Sequence, residues 1–432
     1  MAAGLALAGR LLNSRGMPAH SAQDINPGSL TDQRAVRERL QWFTREKTWI
    51  NDIHLQICRI PAPTFLEGER AAFLLSRFKE LGWQASLDRA GNVVAWEGAA
   101  PFVAVTAHLD TVIAPKNKDQ IAVEADGRIT GPGVADNGAG LAALIAIASA
   151  WKTQPDAAPF RSGLMLVANT AEEGEGNLAG MKHFIKEATG DRKVESVVVV
   201  DGANTDHITT RGLGSQRFEI SFAGPGGHSW SDFGLCNPLH ALCRAVSIFS
   251  DTQINAEPRS SFNVGLIEGG LSVNAIPNFA RAKVDIRSES NERIEELVRA
   301  LSAALDRARE LETQRARTGK LTARMKEIGS RPAAALSENA FILQALRAVD
   351  AHLGIRSHVE CSSTDANVPL SAGIPALAIG GGGAGGGAHS VQEWFRPDGR
   401  DLGLKRVMLL TMLLMQGPDT LRDPSAQGGG IR

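Results

Sequence analysis

Apolar residues recur at helical spacing across residues 32–58 and again across 67–81, where Ala71, Leu74, Leu75, Phe78 and Leu81 fall on one face. After Gly91 the texture changes to short, β-branched, nearly continuous apolar runs, clearest over 102–106, 164–168 and 197–200. A turn and a helical stretch follow them, as over 141–151 and 178–186. Runs without polar alternation predict strands buried on both faces, and their alternation with helices predicts an α/β fold: a mixed central sheet covered by helices.

From about Gly214 the pattern differs. Residues 217–222 alternate as a strand, 238–250 read as a helix, and 262–267 and 280–286 as two strands around Gly269, Gly270, Asn274 and Pro277. A long charged amphipathic helix over 291–313 and an alternating stretch over 321–328 complete a β-α-β-β-α-β order, that of a ferredoxin-like unit. Beyond Ala333 helix and buried strand return, over 341–353 and 374–379. The expectation is a large α/β domain over 30–213 and 328–432, with a small domain inserted over 214–327. A chain of 432 residues is long enough for two cores. Seven glycines around Ala384 in 380–387 are read either as a flexible tether or as a loop hugging a ligand site.

The charge balance removes whole classes of partner. The formal net charge is -1, with Lys and Arg scattered, so nothing favours nucleic acid or an anionic membrane. Cys58, Cys236, Cys243 and Cys361 contain no Cys-x-x-Cys pair, and are read as reduced thiols of a cytoplasmic protein. Cys236 and Cys243, seven apart, are expected on one helix facing a common core. The weakly apolar start (Leu5, Ala6, Leu7, Ala8) is too short to span a membrane, and Arg10 follows that run where a signal peptide needs a basic leader before it. Residues up to about 29 are expected as a frayed extension.

Candidate chemistry gathers at the predicted strand ends. His108 and Asp110 stand two apart, hence on one face of an extended segment, where the carboxylate can fix the imidazole's second nitrogen. Asp136 sits in the turn Gly131-Pro132-Gly133-Val134-Ala135-Asp136-Asn137-Gly138 opening a helix, where an N-cap is the ordinary role. Glu172-Glu173 and Asp201 follow apolar strands, and His389 follows the glycine run. Surface solvation explains any one of them. All five of His108, Asp136, Glu173, Asp201 and His389 at such positions point instead to a ligand edge, and a His and carboxylate set without Cys suits zinc, or cobalt or manganese.

This ordered set, with Asp110 and Glu172, resembles the aminoacylase, acetylornithine deacetylase, carboxypeptidase and peptidase T superfamily of di-zinc hydrolases, over about residues 50–410. The resemblance implies that Asp136 bridges two zinc ions, with His108 and Asp201 completing one site and Glu173 and His389 the other. It implies Glu172 as general base, Asp110 as partner of His108, and a cis Asp136-Asn137 peptide. His228 matches a histidine that reaches the partner subunit's active site, so a homodimer through the inserted lid is expected. Asn274 and Arg287 match positions that grip a substrate carboxylate, though Arg287 could simply pair with Asp285 or Glu289. The segment 363–367 is either a pocket-lining loop or a helix cap. The chain has no tyrosine, which leaves His228 as candidate donor to an oxyanion. In that superfamily aspartate at the position of Asp201 is usual among amino- and dipeptidases, and glutamate among deacylases. The expectation is therefore a hydrolase of di- or tripeptides closest to the peptidase T branch. An N-acyl-amino-acid deacylase is the alternative, and an inactive binding module a third reading.

Overall fold

The computed structural model describes residues 25–154, 160–188, 193–254 and 256–418. The expected N-terminal extension lies outside the described residues up to 24. From Ile25 the chain is packed: Ile25 and Leu30 are buried, Leu30 in the short helix Gly28–Thr31.

The central strands are buried because they carry no polar face. Every residue of Phe102–His108 and of Gly163–Asn169 is buried. Across the large sheet the strands run Gln84–Leu87, Val93–Glu97, Gly163–Asn169, Phe102–His108, Val194–Val200, Ala376–Ile379, His207–Gly212 and Ala334–Ala335, with His358–Ser362 also paired to His207–Gly212. The sheet is mixed: Phe102–His108 is parallel to both its neighbours, while Val93–Glu97 is antiparallel to Gly163–Asn169. Alternate residues feed opposite faces. Val103, Val105, Leu164 and Leu166 meet the helices Lys47–Cys58, Gly138–Trp151, Phe341–Leu353 and Arg400–Gln416, while Ala104, Met165 and Val167 meet Met181, Phe184 and Ile185 of Ala179–Ala188. Gly138–Trp151 is buried along its whole length, which its alanines permit by letting it lie close to the strands.

Residues 214–331 form a second sheet with its own core. Its order is Ser260–Gly269, Phe279–Ser288, Gly214–Ala223, Thr322–Arg331, antiparallel throughout. Pro238–Ser250 and Asn291–Arg315 cover one face, where Phe218, Ile220, Phe222, Leu242, Phe249, Ile286 and Leu301 pack together. The sequence of elements is the β-α-β-β-α-β order read from the pattern, and the last strand runs on to Arg331. One expectation here fails. Cys236 precedes the helix and lies buried against the carbonyls of Thr318 and Gly319, while Cys243 is exposed on it, because Pro238 starts the helix between them.

A third sheet escapes the hydrophobic pattern because its strands are only two or three residues long. Ala384–Gly386, Trp394–Arg396, Ile129–Thr130 and Ala122–Val123 pair in that order and join the glycine run to the turn that carries Asp136. The run is therefore no tether. A Cβ at Gly380 would lie 2.1 Å from the carbonyl oxygen of Asn204, so only glycine fits there. Among the described residues no helix is long and apolar enough to cross a membrane.

One buried ion pair ties the last helix to the helix Phe341–Leu353, and the same arginine reaches the sheet. Arg406 meets Asp350 with two bonds of 2.6 and 2.7 Å, and its Nη1 donates to the carbonyl of His207. Removing one partner strands the other charge, so Arg406→Met is expected to cost about 3–5 kcal/mol in urea denaturation. Arg406→Met with Asp350→Leu is expected to recover most of that loss; a double variant no better than the single one would contradict this account.

Candidate metal centre

His108 ends its strand with Nδ1 3.0 Å from the main-chain oxygen of Asp110. That carbonyl can only accept, so Nδ1 carries the proton and Nε2 turns outward, 3.0 Å from Asp136 Oδ1 and 3.8 Å from Asp201 Oδ1. The carboxylate of Asp110, expected as the ring's partner, stands farther off at 3.5 Å. It mainly accepts the main-chain N–H groups of Glu172 and Glu173, at 3.0 and 2.9 Å, and the hydroxyl of Thr64. Asp110 therefore fixes the histidine with its backbone and the Glu172-Glu173 loop with its side chain.

Asp136 is not the helix cap. Asn137 takes that role, its Oδ1 accepting from Gly140 N, and the Asp136-Asn137 peptide is cis, as the resemblance implies. The Asp136 carboxylate is left free and faces two imidazoles: Oδ1 is 3.0 Å from His108 Nε2, and Oδ2 is 3.1 Å from His389 Nε2. His389 also lies 3.0 Å from Glu173 Oε1. Two groups thus converge, His108 with Asp136 and Asp201, and Asp136 with Glu173 and His389, each with its ligand atoms within 4.8 Å of one another. A third such group joins His108 to Glu172 and Glu173. The structure thus brings together the five residues singled out in the sequence, with Glu172 beside them.

The turn bearing Asp136 is held by its main chain. Glu393, unnoticed in the sequence, accepts the N–H groups of Gly133, Ala135 and Asp136, each at 2.7 Å. His54 Nε2 lies 2.7 Å from the carbonyl of Val134. Because Arg400 donates to His54 Nδ1, the ring proton is on Nε2 and is given to that carbonyl. Burial and the nearby Arg400 hold His54 neutral, well below its ordinary pKa.

The cluster's electrostatics call for positive charge at its centre. Burial alone would neutralise His108, yet bonds from Asp110, Asp136 and Asp201 hold its pKa well above the ordinary value. The carboxylate of Asp136, with Glu173, raises His389 to about 9. Burial raises Glu172 well above the usual carboxylate range, with Glu173 and Asp365 adding to it and Arg331 and His108 opposing. His and carboxylate donors without sulfur, converging from two sides on one shared carboxylate, fit a pair of hard or borderline divalent cations.

A cleft of about 500 Å³ opens from this cluster, lined also by Arg217, Arg287, Arg331, Ser363 and Thr364. Arg331 is buried, and its Nη1 donates to Glu172 Oε1 at 2.9 Å and to Ser363 Oγ at 3.0 Å. Arg217 and Arg287 share Asp285, at 3.1 and 2.6 Å through their Nε atoms. Arg287 therefore shows both readings, an ion pair and a cleft residue. The segment 363–367 lines the cleft through Ser363 and Thr364 and is no side-chain cap for the helix Asn367–Ser371; Asn367 instead ties the loop, its Oδ1 accepting from Thr364 N and its Nδ2 donating to the carbonyls of Leu213 and Pro332. His228 and Asn274 do not line the cleft within one chain. They lie at the short pair Gly227–His228 and Ala275–Ile276, where His228 pairs with Ala275 and Ser229 N donates to the carbonyl of Asn274, and both are exposed. Arg331 and Glu393, polar residues at strand ends, and Arg217, within a strand, carried no further sequence signal.

A sequence model of peptidase family M20/M25/M40 matches residues 104–414, well over half of the chain. A probable carboxypeptidase of Uncinocarpus reesii is 25% identical over 297 residues, 58% of this chain and 64% of that protein. A succinyl-diaminopimelate desuccinylase of Paracoccus denitrificans is 29% identical over 195 residues, 42% of this chain and 50% of that protein. The chain thus spans between half and two thirds of these relatives' lengths. Among solved structures, a tripeptidase from Staphylococcus aureus superposes with a TM-score of 0.70 at 19% identity, covering 86% of this chain and 99% of its own.

The Glu393 cradle sets an expectation. Glu393→Ala leaves three N–H groups of the Asp136 turn without their acceptor and is expected to lower stability by about 3 kcal/mol, whereas Glu393→Gln, which keeps one acceptor oxygen, loses less. Chemical denaturation of both variants measures this, and equal stability of Glu393→Ala and wild type would contradict the cradle's importance.

Proposed function

The chain belongs to peptidase family M20/M25/M40, and from that premise we propose that it hydrolyses the amide bond of di- or tripeptides at a two-metal centre. The observation that carries the reading is the Asp136 carboxylate, with one oxygen toward His108 and the other toward His389. In this reading His108, Asp136 and Asp201 hold one divalent ion, and Asp136, Glu173 and His389 the other, with zinc the first choice and cobalt or manganese able to replace it. Such a pair would supply Lewis acidity and lower the pKa of a bound water toward neutrality.

The chain's own groups do the rest. Glu172, carried on the loop that Asp110 fixes, accepts the water's proton at its carboxylate and returns it to the leaving amine nitrogen. Arg331 orients that carboxylate. The oxyanion needs a donor, and His228 is suited to it: its Nδ1 accepts from the main-chain N–H groups of Trp230 and Ser231, at 3.2 and 3.3 Å, which leaves the proton on an outward-facing Nε2. Trp230, Phe233, Leu271 and Val273 are exposed apolar residues beside that hairpin. They support pairing of two chains through the 214–331 sheet, the lid of this reading, with His228 and Asn274 of each chain serving the other's cleft. Arg287 spends only Nε on Asp285, and its two terminal nitrogens suit the carboxylate of the leaving residue. Reduced cysteines support a cytoplasmic setting. A second reading, removal of an acyl group from an N-acyl amino acid, is favoured by the desuccinylase relative, and Asp201 weighs against it. It shares the centre, the base and the carboxylate grip.

Two expected outcomes test this. Glu172→Gln should keep two metal ions per chain by elemental analysis while kcat on unblocked dipeptides falls about 10²–10⁴-fold. A chelator should silence the wild type, and zinc, cobalt or manganese should restore it. Wild type that binds metal and cleaves neither peptides nor N-acyl amino acids would leave only the inactive-module reading. Separately, mixing inactive His228→Ala and Glu172→Gln chains in equal amounts should restore roughly a quarter of wild-type activity, because half the dimers are mixed and each has one complete site. No recovery would show that His228 acts within its own chain or not at all.

A further inference from the structure

A second cavity of about 540 Å³ adjoins the cleft, with Arg287 and Glu360 lining both. It lies between the edge strand Ser260–Gly269 of the small sheet and the strands His207–Gly212 and His358–Ser362 of the large one. Three guanidinium groups, of Arg211, Arg259 and Arg287, line it against two carboxylates, of Glu289 and Glu360. Most of these charges are already engaged. Arg211 pairs with Glu289 at 2.9 Å, Arg287 with Asp285 at 2.6 Å, and Glu360 accepts the Thr209 hydroxyl at 3.1 Å. Arg259 makes no ion pair among the described residues, and only its main-chain oxygen is bonded, to Glu289 N and Ser288 Oγ.

We propose that this cavity is a carboxylate subsite in which Arg259 recognises an acidic side chain on the leaving residue, so that the preferred substrates release glutamate or aspartate. The inference rests on the reading of the active site above and adds a direction to it. With the scissile carbonyl at the histidine and carboxylate end and the α-carboxylate at Arg287, the leaving residue's side chain is the part of the substrate that reaches past Arg287. The cavity is then where that side chain goes, and an uncommitted guanidinium there selects a carboxylate over its amide, since the amide cannot make the charge-assisted pair. Glu360, on the opposite wall, disfavours a second negative charge and limits the site to one.

The test compares matched substrates on metal-loaded protein: Ala-Glu with Ala-Gln, and N-acetyl-glutamate with N-acetyl-glutamine. Wild type is expected to favour the acidic member of whichever pair it hydrolyses by about tenfold or more in kcat/KM, the effect of one charge-assisted hydrogen bond. Arg259→Gln should bring the ratio close to one by lowering kcat/KM on the acidic member, and Arg259→Glu should shift preference toward a C-terminal lysine. Equal rates on acid and amide, or a ratio that Arg259→Gln leaves intact, would overturn the proposal. A readout independent of turnover uses Cys361, a half-buried thiol lining the same cavity. Free glutamate should slow its alkylation by iodoacetamide, followed by peptide mass mapping, while glutamine at the same concentration should not, and Arg259→Gln should abolish the difference. If neither substrate pair is hydrolysed, the reading of the active site falls, and the alkylation result alone decides for or against the subsite.

Discussion

The arrangement depends on one carboxylate having nothing else to do. Asp136 opens a helix, where an aspartate ordinarily spends its side chain on the helix's first N–H groups. Here Asn137 caps the helix, and Glu393 accepts the N–H groups of the turn, including that of Asp136 itself. Both oxygens of Asp136 are thereby released to face His108 and His389, which reach it from the large sheet and from the loop after the glycine run. The energetic logic is that of buried polar groups in general: each main-chain donor in the turn must find an acceptor, and providing one other than Asp136 is what leaves Asp136 free.

The loop carrying Glu172 and Glu173 is held from both sides. Asp110 grips its N–H groups from the large sheet. From the small sheet, Arg217 donates to the carbonyl of Gly174, Lys283 pairs with Glu175 at 2.8 Å, Ser330 N donates to Asn177 Oδ1, and Arg331 donates to Glu172 itself. Three of the four strands of the small sheet therefore contribute a residue to this one loop. The polar face of that sheet, opposite its apolar core, exists to meet the site, and any shift of the sheet against the large one acts first on the candidate base.

Much of this was legible in the sequence, for a physical reason in each case. Long elements with a strong period, such as the buried strands and the helix Asn291–Arg315, announce themselves because burial dictates their residues over many positions. The convergent cluster was legible because histidines and carboxylates at the ends of apolar strands have no packing reason to be there. What stayed hidden was held by main-chain bonds or by short pairings. Glu393 acts on N–H groups that every residue has, so no partner residue betrays it. The strands Ile129–Thr130 and Trp394–Arg396 are too short to show a period. Arg331 lies one residue before Pro332, and whether a strand-end arginine turns to solvent or to a buried glutamate depends on how two sheets meet, which local pattern does not encode. The glycine run was ambiguous for the converse reason: glycine marks both slack chain and the closest packing, and the contact at Gly380 shows it is the latter.

The cleft carries charge of both signs, and that polarity constrains the ligand more than its volume does. Its lining gathers the carboxylates of Asp136, Glu172, Glu173 and Asp201 and the imidazoles of His108 and His389, with Arg331 held against Glu172, and it also carries Arg217 and Arg287, both paired to Asp285. Each arginine is tethered by a carboxylate but none is fully consumed, since Arg217 and Arg287 divide a single Asp285. A neutral, symmetric ligand would leave that surplus unused. In the proposed reading, a molecule with an amide beside Glu172 and a carboxylate at Arg217 and Arg287 satisfies both in one orientation only, so the same charges that attract it also set which bond lies beside Glu172. Fixing the direction of the substrate electrostatically, before any side chain is read, would in that reading let the remaining walls vary in specificity without disturbing the chemistry.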